Sequence, residues 1–225
     1  MTKIALFMMF IFITGNATPV DKIDLKKYFT KQKCDQILSN GGYFTTCYDF
    51  EMKGAKYVSY SIEASRASQT HEKFRPKYYK NRKISNTYRS AAKDYKYNGL
   101  KVFKSRIADT SSFDYSQTAL ISTYVMSNTI PYISATLDKI RALRAIEKFG
   151  KILSVRYGKM NVLNGIVYNK EPIRIGINKI AVPTALWKIY YNDTYQKCFY
   201  FEDLQTTKKK KIRDYEIRCS TLLKM

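Results

Sequence analysis

Histidine is nearly missing from this chain: the 225 residues contain one, His71. No Cys-x-x-Cys pair occurs either, and the two absences together argue against a zinc site. Acidic residues are scarce, 18 Asp and Glu against 40 Lys and Arg, a net charge of +22. A charge of that size costs self-repulsion and points to an anionic partner. Nucleic acid is the leading candidate; an anionic membrane surface or another polyanion is the alternative. Past the N-terminus no segment is apolar enough to span a bilayer, and no internal repeat is present. The exception is Ile4 to Thr14, an apolar run of signal-peptide length behind Lys3, with Gly15-Asn16-Ala17 as a small-residue cleavage site. The expectation is a signal peptide at 1–17, or a retained anchor in its place, and a mature single domain at 18–225 that is exported, periplasmic or secreted.

What is present is globular in kind. Apolar residues make up 45% and aromatics 15% of the chain, enough for a core and too much for disorder. Cys34, Cys47, Cys198 and Cys219 are an even set, which in an exported chain reads as two disulfides. Three connectivities are open; local pairing, Cys34 to Cys47 and Cys198 to Cys219, closes a short loop near each end.

Residues 19–38 have helical spacing. The segment 57–62 (YVSYSI) alternates as a strand does, and 70–99 reads mostly as loop. Residues 119–125 (ALISTYV) form a β-branched strand candidate. The clearest helix is 136–154, with Leu137, Ile140, Leu143, Ile146 and Phe149 on one face and Arg141, Arg144, Lys148 and Lys151 on another. Segments 161–168, 179–191 and 196–201 are strand-like. Strands, one long helix, then more strands predict an α+β fold with a mainly antiparallel sheet. The run Lys208 to Lys211 is either a solvated loop or a phosphate contact. Twenty tyrosines, many beside lysine, serve equally as strand residues or as stacking surfaces for unpaired bases.

Five stretches, in this order, resemble the DNA/RNA non-specific endonuclease family, the nucleases with a ββα-metal finger, and most of all its small exported bacterial branch. They are YVSYSI (57–62), RPKYYKNRKISNTYRSAAKDY (75–95), SSFDYSQTALISTYVMSNTIP (111–131), YGKMNVLNGIVY (157–168) and AVPTALWKIYY (181–191). The resemblance covers roughly 34 to 219. It implies a ββα finger, one long helix, and a nucleic-acid substrate. Asn128, Pro131, Gly165, Pro183 and Trp187 match its scaffold positions, with Trp187 in the core.

The functional positions depart from the family. Its Asp-Arg-Gly-His signature, counted back from Phe113-Asp114-Tyr115, falls on Phe103-Lys104-Ser105-Arg106. The family histidine is the general base that activates water; arginine cannot accept a proton near neutral pH, so Arg106 is only a cation, able to grip phosphate. The family's magnesium-binding asparagine, six residues past the proline, falls on Leu137, which has no oxygen donor. The glutamate eight residues further on falls on Ala145, the glutamine after the proline becomes Tyr132, and the arginine after the asparagine becomes Asp138. Asp138 sits beside the lost ligand as a substitute, although one helical residue turns its side chain by about 100°; Asp109 and Asp114 are the other nearby carboxylates, Asp114 belonging to the shared scaffold stretch. His71 reads as a surface residue.

The expected function is therefore binding of DNA or RNA without sequence specificity, by a catalytically impaired relative of the nucleases, in a basic groove lined by Lys101, Lys104, Arg106, Arg141 and Arg144. No cofactor is expected. The alternatives are an active magnesium- or manganese-dependent endonuclease with a rebuilt site, and a protein that binds other polyanions or a membrane surface.

Overall fold

A computed structural model of the chain describes residues 33–69, 72–133, 137–201 and 211–222. The expected signal-peptide segment 1–17, His71 and Lys208 to Lys210 lie outside the described residues.

Strands β1 (Gln36–Asn40), β2 (Phe44–Asp49) and β3 (Gly54–Glu63) form an antiparallel meander. Two-residue strands β4 (Lys96–Tyr97) and β5 (Leu100–Lys101) make a small hairpin. Then β6 (Phe103–Arg106) pairs with β7 (Thr129–Tyr132), and the long helix Leu137–Tyr157 follows. The rest is β8 (Lys159–Val167), the short pair β9 (Arg174–Ile175) and β10 (Ile180–Ala181), then β11 (Ala185–Tyr191), β12 (Gln196–Phe201) and β13 (Glu216–Ile217). The main sheet has the order β1-β2-β3-β8-β11-β12-β13, antiparallel at every junction. The α+β class and the ββα unit are as the sequence predicts.

The central strands alternate, and the alternation sorts two cores. Val58, Tyr60 and Ile62 of β3, Met160 and Val162 of β8, and Leu186 and Tyr190 of β11 face the long helix, which supplies Ala142, Ile146 and Leu153. Leu163, Trp187 and Ile189 face the other way, onto Cys198, Cys219 and Leu222. Gly165 is there because Trp187, its partner across the ladder, lies over it: a Cβ at Gly165 would fall inside the indole. The same parity puts Lys188 and Asn164, opposite each other in register, on the helix side of the sheet, where both are buried.

Disulfides join Cys34 to Cys47 and Cys198 to Cys219, each with Cα atoms 5.2 Å apart. They are the local pairing among the three connectivities, and they suit a non-reducing compartment. No described helix is long and apolar enough to cross a membrane.

Two local expectations fail. Residues 36–38, the end of the expected N-terminal helix, are strand β1, tied to β2 by register and disulfide; residues 19–32 lie outside the described residues. Residues 117–122 form a helix where a strand is expected over 119–125. The Ser116 side chain caps it, accepting from the Ala119 amide at 3.2 Å, and that local bond outweighs β-branched composition.

Candidate nucleic-acid interface

The ββα unit carries one wall and the floor of a cleft of about 510 Å³. Strand β6 brings Phe103, Lys104, Ser105 and Arg106 to it, and β7 brings Tyr132. The helix turns one face toward the same space, Ile140, Leu143, Arg144 and Glu147, spaced at three, four and seven residues. Lys73, Arg75 and Lys148 add further cations. Behind β6, Asn128 is fully buried and fixes the floor: its amide donates to the carbonyls of Ala108 and Thr123, and its oxygen accepts from the Ala108 amide at 2.7 Å.

Arg106 is held on two sides. Its Nη1 donates to the Tyr78 hydroxyl at 2.6 Å and its Nε to Thr110 Oγ1 at 3.2 Å. The guanidinium lies over the Tyr124 ring, 4.7 Å from the centroid, and Lys104 Nζ lies 4.9 Å from the centroid of Tyr95. Burial raises the Tyr78 hydroxyl's pKa, and Arg106 pulls it back.

Beneath the cleft sits a buried ion pair. Asp109 is 2% exposed and Lys188 3%, with Lys188 Nζ 3.9 Å from Asp109 Oδ2. Asp109 also accepts from Tyr60 Oη at 2.5 Å, Ser111 Oγ at 2.7 Å, the Ser112 amide at 2.8 Å and Ser112 Oγ at 3.0 Å. Burial alone would raise its carboxyl; Lys188 and these donors outweigh it and hold the pKa below the ordinary aspartate value. Glu147 has the opposite balance. Burial, reinforced by Asp109, pushes its carboxyl up to about 8, against the pull of Lys188, Arg106 and Arg144. Asp114 is paired with Lys151 at 3.2 Å.

The predicted groove residues are partly brought together. Lys104, Arg106 and Arg144 line the cleft; Arg141 is exposed on the same helix and is not among the lining residues. Ala145 does not line the cleft either. The side chains of Lys101, Leu137 and Asp138 lie outside the described residues. Sequence reading missed Glu147 and the burial of Asp109 and Lys188 as a pair. Helical spacing from Ile140 and Arg144 would have found the first, and strand parity from Trp187 the last.

The described donors do not suit a magnesium ion. Among the described residues no three His, Cys, Asp or Glu cluster as a metal site. Asp109 is spent on its hydrogen bonds and on Lys188, Asp114 on Lys151, and Glu147 is opposed by guanidinium groups. A hard divalent cation needs several converging oxygens.

The family model for DNA/RNA non-specific endonucleases matches residues 23–224. The chain belongs to the DNA/RNA non-specific endonuclease family. Its fold is similar to that of EndoG in the crystal structure of the EndoG/EndoGI complex, with a TM-score of 0.74 and 17% identity, over 85% of this chain and 84% of that one. No curated protein matches this family member in sequence.

Proposed function

We propose that this endonuclease-family protein binds DNA or RNA in the basic cleft without hydrolysing it by the family's histidine-and-magnesium route. The observation that carries the reading is Arg106. It stands where the family's general base belongs, cannot accept a proton, and is oriented by Tyr78 and Thr110 with its charge toward the cleft. Counted from Pro131, the family's metal asparagine falls on Leu137; counted back eight residues from the cleft glutamate Glu147, it falls on Lys139. Neither has an oxygen to offer a cation. Lys104, Arg106, Arg144 and Lys148 instead supply what a phosphate backbone requires, and such contacts carry affinity without sequence information.

The protein is read as a single domain, 18–225, exported after loss of a signal peptide at 1–17; the two disulfides support an oxidising destination. A second reading, an active enzyme with a rebuilt site, has one observation in its favour. The Glu147 carboxyl, with its pKa raised to about 8, titrates near neutral pH, as a general base would.

Both readings meet in one experiment on one preparation. Plasmid is incubated with the protein and magnesium or manganese, with and without chelator, and binding to labelled DNA and RNA is measured across a salt series. Binding that weakens steeply with salt, without nicking, is the expected result. Metal-dependent nicking lost on Glu147→Gln establishes the second reading instead, and affinity that is flat with salt overturns the first.

A further inference from the structure

The cleft is not lined as a groove for phosphates alone. Phe103, Leu120, Ile140 and Leu143 give it an apolar interior, with the cations set among them. Its volume of about 510 Å³ is that of a small-molecule pocket, a class that runs from roughly 300 to 1,000 Å³. Three tyrosines beside Lys104 and Arg106 are not available as stacking surfaces. Tyr95 is buried, and Tyr78 and Tyr124 already carry Arg106 against their faces. Phe103 is different: it lines the cleft and is 43% exposed, a large apolar ring left in water.

Directly across the β6–β7 ladder from Phe103 is Tyr132. It is 2% exposed and lines the same cleft, yet its hydroxyl has no hydrogen-bond partner among the described residues. Burial raises its pKa, the nearby Ser105 side chain lowers it as a weak hydrogen-bonding neighbour, and Glu147 raises it by its charge. A buried, unpaired hydroxyl is costly unless something completes it. An exposed ring, an orphaned hydroxyl and a half-buried carboxyl thus line one pocket, with Arg106 and Arg144 beside them.

We infer that this pocket takes a single unpaired nucleobase, so that the protein prefers single-stranded nucleic acid to duplex. The base stacks on Phe103 and packs against Ile140 and Leu143. Its polar edge hydrogen-bonds the Tyr132 hydroxyl and the Glu147 carboxyl, and the flanking phosphates lie on Arg106 and Arg144. Stacking of this kind tolerates any base, because each has a π-face, and a base held in a duplex cannot enter without being unstacked. The inference rests on the proposed nucleic-acid cleft and adds the substrate class to it.

The test is fluorescence anisotropy of the purified protein with four labelled probes: a DNA 12-mer, the RNA of the same sequence, the matching DNA duplex, and an abasic strand of the same length. The two single strands should bind at least about tenfold more tightly than the abasic strand, a difference within the range of one stacked base. Phe103→Ala should remove about tenfold from single-strand affinity and leave the abasic strand unchanged. Tyr132→Phe keeps the ring and deletes only the orphaned hydroxyl; it should weaken single-strand binding several-fold without lowering the urea midpoint. Equal affinity for the abasic and normal strands, or no effect of Phe103→Ala, overturns the base pocket while leaving the phosphate-binding cleft intact. If none of the four probes binds, the cleft reading fails and this inference fails with it.

Discussion

The Tyr78 hydroxyl accepts a hydrogen bond from Arg106 at 2.6 Å, so this cleft-lining cation is fixed from a loop distant in sequence. With Thr110 on Nε, the guanidinium is pre-aimed and loses little freedom on meeting a phosphate. Arg106→Ala should therefore weaken nucleic-acid binding by about 1.5–3 kcal/mol, the range for a hydrogen bond to a charged group. It should also reduce the slope of log affinity against log salt by about 1. Arg106→Lys should restore most of the slope but only part of the affinity, because an ammonium lacks the fork. Anisotropy across a salt series measures both; an unchanged slope in Arg106→Ala removes Arg106 from the interface.

The Asp109–Lys188 pair supports the cleft from below, and its removal should show in stability before it shows in binding. Lys188→Met leaves Asp109 buried with its hydroxyl and amide donors but without its counter-charge. Breaking a buried pair from one side costs about 3–5 kcal/mol. Urea denaturation should show a loss of that order for Lys188→Met. The double variant Lys188→Met with Asp109→Asn should recover part of it, because no charge is then stranded. A single variant as stable as the parent would mean that Lys188 reaches water.

Much of this architecture was legible along the chain, and the failures have physical causes. Strands β3, β8, β11 and β12 and the long helix read correctly: the helix keeps one apolar face, and the strands, β8 and β11 buried on both faces, stand out as short apolar runs rich in β-branched and aromatic residues. The helix Gln117–Ser122 did not, because a single serine cap set its start and β-branched neighbours hid it. Residues 36–38 did not, because β1 is held by partners in β2 and by a disulfide, none of them local. In the site, Arg106 was found by counting from a motif. Glu147 was missed by the same kind of count, which ran forward from Pro131 and arrived at Ala145. Lys188 is one of the lysines beside tyrosines, and only its neighbour Trp187, on the opposite face, implies that it points inward.

Gly165 is a site where one methyl group should be decisive. The Trp187 indole crosses the strand there, and a Cβ has no room unless the ring moves. Trp187 is itself packed in the core with Leu163 and Cys198, so the ring has nowhere to go. Gly165→Ala should destabilise by about 1–3 kcal/mol or more, as overpacking does. Gly42→Ala, where a Cβ meets nothing within 4 Å although φ is +76°, serves as a control for backbone strain alone. A fall in urea midpoint no larger for Gly165→Ala than for Gly42→Ala would show that the indole relocates.

Glu147 gives the protein a pH dependence opposite in sign to that of Asp109. The Glu147 carboxyl rises from the ordinary 4.5 to about 8 on folding, first through burial and then through Asp109. The native state therefore holds this proton more tightly than the unfolded chain does. The stabilisation is complete below about pH 4.5 and is lost as pH climbs toward 8. Asp109, held below its ordinary value, contributes stability that is lost only in acid. Each tenfold change in proton affinity is worth about 1.36 kcal/mol. Glu147 is only half-buried in an open cleft, and with water screening the loss between pH 5.5 and 8.5 should be on the order of 1–2 kcal/mol. Glu147→Gln cannot ionise and should flatten that slope, with an advantage over the parent that is small at pH 5.5 and larger at pH 8.5. Urea midpoints of both proteins at the two pH values measure the difference; parallel slopes would show that Glu147 ionises in the folded protein as it does in water.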